Sequence, residues 1–142
     1  MKISVVLCVY SMERYDDFRE AAESVLTQTY DDIELVVVVD GTEAVYERVR
    51  EDYGENDHVI TYCNDENVGL LESRNTGAEI ATGDVVVFID DDAVADERWI
   101  EELAHSYEEQ GALAVGGTMT SKWVAGKPEF LRARSLRVKD FE

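Results

Sequence analysis

Three consecutive aspartates, Asp90-Asp91-Asp92, follow directly on Val85-Val86-Val87-Phe88-Ile89, the most apolar stretch of this chain. A run of β-branched and aromatic residues between Gly83 and a charge cluster reads as a strand buried on both faces. In open parallel sheets, ligands sit at the carboxyl ends of such strands. A core strand that delivers roughly three negative charges to one point pays in repulsion unless a cation neutralises them or water screens them. The chemistry that fits is a hard divalent ion with oxygen ligands, Mg²⁺ or Mn²⁺, of the kind that travels with a phosphorylated substrate. The plainer alternative is an acidic turn on an acidic protein.

Other polar groups fall at predicted strand ends. Asp40 closes a second apolar run and is followed by Gly41-Thr42. Asn67, Gly69, Arg74, Asn75 and Gly77 crowd one short helical stretch. Gly77 inside a helix costs about 1 kcal/mol relative to Ala, which points to close backbone approach, to the sheet or to a ligand. Arg74 offers a planar guanidinium to a diphosphate or an acidic neighbour; as an ordinary surface residue it would pair with Glu72 or Glu79. Cys8 and Cys63 read as small core residues, and His58 and His105 as structural.

The elements that must position these groups alternate. Strands are expected at Ile3–Tyr10, Ile33–Val39, His58–Cys63, Val85–Asp90 and Leu113–Met119. Helices are expected over Asp16–Thr29, with Phe18, Ala21, Ala22, Val25 and Leu26 on one face, and over Glu43–Tyr53, with Val45, Val49 and Tyr53 in register. A third runs from an Asn67 cap to Ala81 and ends at Gly83. A fourth is capped by Asp96, with Trp99, Leu103 and Tyr107 facing inward. This order gives an α/β sandwich with a mainly parallel sheet. Lys2 and the apolar residues after it faintly resemble a signal peptide but lack a cleavage site, so they read as the first strand.

Composition sets limits. The chain has 142 residues, 45% of them hydrophobic, enough for one globular domain. It carries 32 acidic and 13 basic residues, a net charge of −19, which argues against nucleic acid as a partner. Arg outnumbers Lys nine to four. An acidic, Lys-poor surface is expected of a protein adapted to concentrated salt, where the Debye length is about 3 Å at 1 M. Residues 1–120 carry a net −22 and residues 121–142 a net +3. The basic tail (Lys122, Lys127, Arg132, Arg134, Arg137, Lys139) either meets an anionic lipid or phosphate or pairs with the acidic body. No apolar run approaches the ~18 residues that span a bilayer.

Common nucleotide and nucleophile motifs are missing. No G-x-G-x-x-G follows the first strand, no G-x-x-x-x-G-K-[ST] occurs, and no Ser or Cys sits on a nucleophile elbow. A phospho-acceptor receiver would need an acidic pair where this chain has Cys8-Val9-Tyr10-Ser11.

Ser4-Val5-Val6-Leu7-Cys8-Val9-Tyr10-Ser11, Ala22-x-x-Ser24-Val25-Leu26-x-Gln28-Thr29-Tyr30, Val39-Asp40-Gly41-Thr42, Asn67-Val68-Gly69, Ser73-Arg74-Asn75-x-Gly77, Ala81-x-Gly83-Asp84 and Phe88-Ile89-Asp90-Asp91-Asp92 occur in that order. Over about residues 3–120 this series resembles the family-2 glycosyltransferases of the GT-A fold. The resemblance implies a Rossmann-like α/β/α sandwich with residues 1–120 as its nucleotide-sugar-binding part. Val9 and Tyr10 would border the base, Asp40 would hydrogen-bond it, and Arg74 would answer the diphosphate. Asp90 and Asp92 would form the D-x-D pair, Asp90 near the ribose and Asp92 on the metal, Mn²⁺ or Mg²⁺. Gly116-Gly117 would begin the acceptor side, and residues 121–142 would belong to it.

The implied activity is metal-dependent, inverting transfer from a UDP-sugar to a lipid-phosphate or lipid-linked sugar. It would take place at the cytoplasmic face of a membrane. Within the family, the acidic composition and Asp90-Asp91-Asp92-Ala93-Val94 look most like archaeal enzymes that act on dolichol-phosphate carriers in protein glycosylation. The family commonly has Pro where this chain has Cys8 and Asn where it has Ser11. Its downstream general base and Q-x-x-R-W motif are not found. Glu129, Asp140 and Glu142 are the remaining carboxylates of the tail, and the base is expected beyond Glu142. The alternative from another class is a non-catalytic nucleotide-sugar-binding module.

Overall fold

The computed structural model describes residues 1–117 and 119. Four strands, β1 (Ile3–Val9), β2 (Ile33–Val39), β3 (Val59–Cys63) and β4 (Val85–Ile89), alternate with α1 (Tyr15–Leu26), α2 (Glu43–Tyr53), α3 (Leu70–Ile80) and α4 (Trp99–Gln110). A 3-10 turn, Met12–Arg14, joins β1 to α1. The strands form one parallel sheet in the order β3-β2-β1-β4. The chain divides into two compact units, 1–100 and 101–142, and the sheet lies in the first. The expected region 121–142 lies outside the described residues. No helix among the described residues is long and apolar enough to cross a membrane.

The topology follows from chirality. Steps from β1 to β2 to β3 run one way across the sheet, so right-handed crossovers put α1 and α2 on one face. The step from β3 to β4 returns past β1 and puts α3 on the other. Tyr15, Phe18, Ala21, Ala22 and Val25 of α1 are buried, and Phe18 meets Tyr53 of α2 edge-on, with ring centroids 6.0 Å apart. On the opposite face, Val6, Val36 and Val38 form a cluster joined by Ile80 and Ala81. Gly77 answers the question its position raised. A Cβ there would lie 2.4 Å from Val6 Cγ1, so the close approach is to the sheet.

Several boundaries differ from expectation. Of the expected strand Leu113–Met119, the described residues 113–117 are not in a strand, Met119 makes a single β-bridge, and both Leu113 and Met119 are exposed. The paired Gly116-Gly117 lower strand preference there. β4 was expected to be buried on both faces. Among the described strands it pairs only with β1, its side chains are partly exposed and Phe88 is open. Asn67 does not cap α3: the N-cap is Gly69, with φ +93, and Asn67 donates instead to the Asp40 carbonyl. Leu26 is only half-buried. Asp96 does cap the start of α4, its Oδ1 accepting from Arg98 N at 3.0 Å. Gln28 joins that start to the end of α1: its Nε2 donates to the Asp96 carbonyl and its Oε1 accepts from Ile100 N.

Glu34 interrupts β2 and is 5% exposed. Its carboxylate pairs with Lys2 Nζ at 2.7 Å and accepts from Ser4 Oγ and from Thr82 N, both at 2.6 Å. Burial alone would raise its pKa, but these donors outweigh burial and hold it down at about 2. The network therefore stabilises the fold fully above the unfolded pKa near 4.5 and is lost as pH falls through about 2. We expect Glu34→Gln to remove on the order of 3 kcal/mol at neutral pH. Urea titrations should show the stability gap between wild type and variant closing over this acid window. A gap independent of pH would refute the ionic account.

Candidate active site

The four strands end in register. Val9 pairs with Val39, Val39 with Cys63, and Leu7 with Ile89, so Tyr10, Asp40, Asn64 and Asp90 emerge along one edge. Strand order reverses about β1, the place where open α/β sheets bind ligands. A cleft of about 400 Å³ opens there, and Val9, Tyr10, Asp40, Asp90 and Asp92 all line it. Val9 contributes its floor, with the side chain turned into the core. Tyr10 stands half-exposed at its wall, and its carbonyl accepts from Thr42 Oγ1. Cys8 also lines the floor. Burial, followed by the aspartates Asp40, Asp91 and Asp90, raises its thiol to about 11 against the opposing pull of Arg74. It is therefore a neutral, poor nucleophile.

The aspartate run alternates. The side chains of Asp90 and Asp92 are 52% and 58% exposed, whereas that of Asp91 is 11% exposed. The pair two residues apart thus opens outward and the middle residue turns in. Burial raises the Asp91 pKa, neighbouring Asp92 and Asp90 add to the rise, and Arg14 opposes it. The repulsion anticipated from sequence is met by two arginines. Arg74 Nη2 donates to Asp90 Oδ1 at 2.6 Å, and its guanidinium lies 5.9 Å from the Phe88 ring centroid. Arg74 therefore sits at the rim, acting on the cleft through Asp90 rather than pairing with Glu72 or Glu79. Arg14 Nη2 lies 3.2 Å from Asp92 Oδ2 and 3.4 Å from Asp91 Oδ1.

Among the described residues, no three His, Cys, Asp or Glu side chains converge to hold a metal ion. The protein instead offers the open carboxylates of Asp90 and Asp92. That donor set suits a Mg²⁺- or Mn²⁺-type ion whose other ligands are substrate phosphates and water.

Asp40 is committed inward. Its Oδ1 accepts from Val68 N at 2.8 Å and Asn64 Nδ2 at 3.0 Å, and its Oδ2 from Gly69 N at 2.9 Å. Asn64 also donates to buried Ser73 Oγ. Burial would raise the Asp40 pKa, but the donors Val68, Asn64, Gly69 and Ser73 together lower it. Gly41, at φ +75, lets the segment before α3 close on this carboxylate; a Cβ would lie 2.3 Å from Asn67 N. Sequence reasoning missed Arg14 and Asn64. Neither carries a local signal, because their partners lie far away in the chain.

Comparison with known proteins adds a family. The glycosyl transferase family 2 profile matches residues 4–138. A Haloferax volcanii protein described as glucosyl-dolichyl phosphate glucuronosyltransferase is 58% identical over 131 residues, covering 92% of this chain and 42% of its own length. Glycosyltransferase GlyA of Streptococcus pneumoniae is 39% identical over 116 residues, covering 81% of this chain and 16% of its own. This chain thus spans less than half of each of these relatives. In fold, it resembles S. aureus TarS 1-349 solved with UDP-GlcNAc, with a TM-score of 0.68 and 24% identity over 78% of this chain and 32% of TarS.

Proposed function

This chain belongs to glycosyl transferase family 2, and from that premise we propose that its cleft binds the nucleotide end of a UDP-sugar for transfer to a lipid-linked acceptor. The observation that carries this reading is the exposed Tyr10 on the same strand-end cleft as the outward pair Asp90 and Asp92. An aromatic face suits a base, and the carboxylates suit a cation-bridged diphosphate. A divalent ion, when bound, neutralises charge building on the leaving diphosphate. Asp90 and Asp92 would hold it, Arg74 orients Asp90, and the Asp40 carboxylate fixes the wall that the base would meet.

The reaction we propose is inverting. An acceptor hydroxyl attacks the anomeric carbon, the bond to the diphosphate breaks, and UDP leaves. The described residues provide the donor side, and the base is assigned to the acceptor side. The name of the Haloferax relative supports transfer of a glucuronosyl group to glucosyl-dolichyl phosphate, and our reading takes UDP-glucuronate as the donor and the cytoplasmic face of a membrane as the place. The acid-rich, Lys-poor composition agrees with a halophilic archaeal setting.

The test is calorimetry with UDP-glucuronate, UDP, CDP and ADP in Mn²⁺. Radiolabelled donor is then supplied with glucosyl-dolichyl phosphate. Uridine nucleotides should bind at least about tenfold more tightly than the others, a margin that one extra hydrogen bond can supply. Labelled lipid should form only with the divalent ion. Binding without transfer would leave the donor-side reading intact and put the base outside the residues that make this cleft. No preference for uridine nucleotides would sink the reading.

A further inference from the structure

Arg14 stands outside the motifs of the sequence, yet it reaches the centre of the cleft. Its backbone is fixed locally: Ser11 Oγ accepts from Glu13 N, and the Ser11 carbonyl accepts from Arg14 N at 3.2 Å. From that turn its guanidinium spans Asp91 and Asp92. It therefore touches the buried carboxylate and one open carboxylate at once. A planar fork can hold such a set where a point charge cannot.

We propose that Arg14 is a resident counter-cation of the aspartate run, and that it trades Asp92 for the diphosphate when metal and nucleotide arrive. This rests on the donor-binding reading given above. A divalent ion on Asp92 would stand within a few ångströms of the guanidinium, and two cations so close repel. Asp91 is buried and keeps a guanidinium partner as its tether, so Arg14 remains in the cleft when Asp92 is taken. The incoming diphosphate then supplies the anion that Asp92 no longer offers. Arg14 thus opposes binding of the ion alone and supports binding of the ion with its nucleotide. A residue that only stabilised the local fold would shift both affinities the same way.

The experiment measures two affinities by calorimetry on the 142-residue chain, for Mn²⁺ alone and for UDP at saturating Mn²⁺. Arg14→Gln should bind Mn²⁺ roughly three- to tenfold more tightly, having lost a competing positive charge. It should bind UDP about tenfold more weakly, the factor expected for one charge-assisted hydrogen bond. Arg14→Lys retains the charge and safeguards folding. It should keep the Mn²⁺ affinity near wild type while UDP remains weakened, because the fork is gone. Affinities that move together, or that stay unchanged in Arg14→Gln while wild type binds both ligands, would overturn this role alone. Wild type binding neither Mn²⁺ nor UDP would overturn the donor-binding reading with it.

Discussion

Asp92→Asn is expected to abolish the Mn²⁺-dependent stabilisation of this chain by uridine diphosphate while leaving the unliganded fold intact. A ligand present at about 100 times its Kd adds about 2.7 kcal/mol to the native state. For a domain of this size that is a rise in Tm on the order of 10 °C. In the proposed site the gain passes through the carboxylates of Asp90 and Asp92, which are the open oxygens of the strand-end cleft. The amide at position 92 keeps the shape but is a poor ligand for a hard cation. Its cost to the free chain is small, because the Asp92 side chain is more than half exposed and its ion pair with Arg14 is screened by water. One like charge is also removed from a crowded run. Thermal melts with UDP in Mn²⁺ and in chelator would decide the matter. Equal shifts in both media in wild type would mean that the aspartates do not act through a metal.

The parts of this site that were legible in sequence share a cause. β1, β2 and β4 announce themselves because parallel strands in such a sheet are continuous apolar runs, and Asp90, Asp91 and Asp92 stand out because they break one abruptly. Their alternation, with Asp91 turned in and its neighbours out, is set in the turn after β4, where Ala93 N donates to the Asp90 carbonyl at 3.1 Å. What sequence could not give is the identity of partners. Arg74 was read as answering a diphosphate or an acidic neighbour, and the acidic group it meets is Asp90 across the strand end, not Glu72 or Glu79 on its own helix. Arg14 answers residues some eighty positions on, from a 3-10 turn with no periodic pattern. Asn67 looked like a helix cap because caps are local, yet the start of α3 is held by a carboxylate from β2's end. The expected fifth strand at Leu113–Met119 rested on composition alone, and among its described residues only Met119 is bridged, beyond the flexible Gly116-Gly117 pair.

Asp40 sets the sharpest test of how the cleft reads its base. A carboxylate that accepted from uracil would discriminate among bases, and Asp40→Ala would then narrow the advantage of UDP over CDP. The geometry leads to a different expectation. Both oxygens of Asp40 already serve Val68 N, Gly69 N and Asn64 Nδ2. Removing them strands the buried Asn64 amide and two part-buried backbone N–H groups, at about 1–3 kcal/mol each. Asp40→Ala should therefore lose at least about 3 kcal/mol of stability to urea. Asp40→Asn should lose nearly as much, since in either orientation of the amide an N–H group faces a backbone N–H it cannot serve. With the segment before α3 loosened, UDP and CDP should weaken together and their ratio should hold. Calorimetry with both nucleotides, beside urea titration of the free variants, separates the two cases. A narrowed UDP-to-CDP ratio at unchanged stability would return the base contact to Asp40. The expected result, lost stability at constant ratio, makes Asp40 the residue that builds the wall and leaves reading the base to the groups that line it.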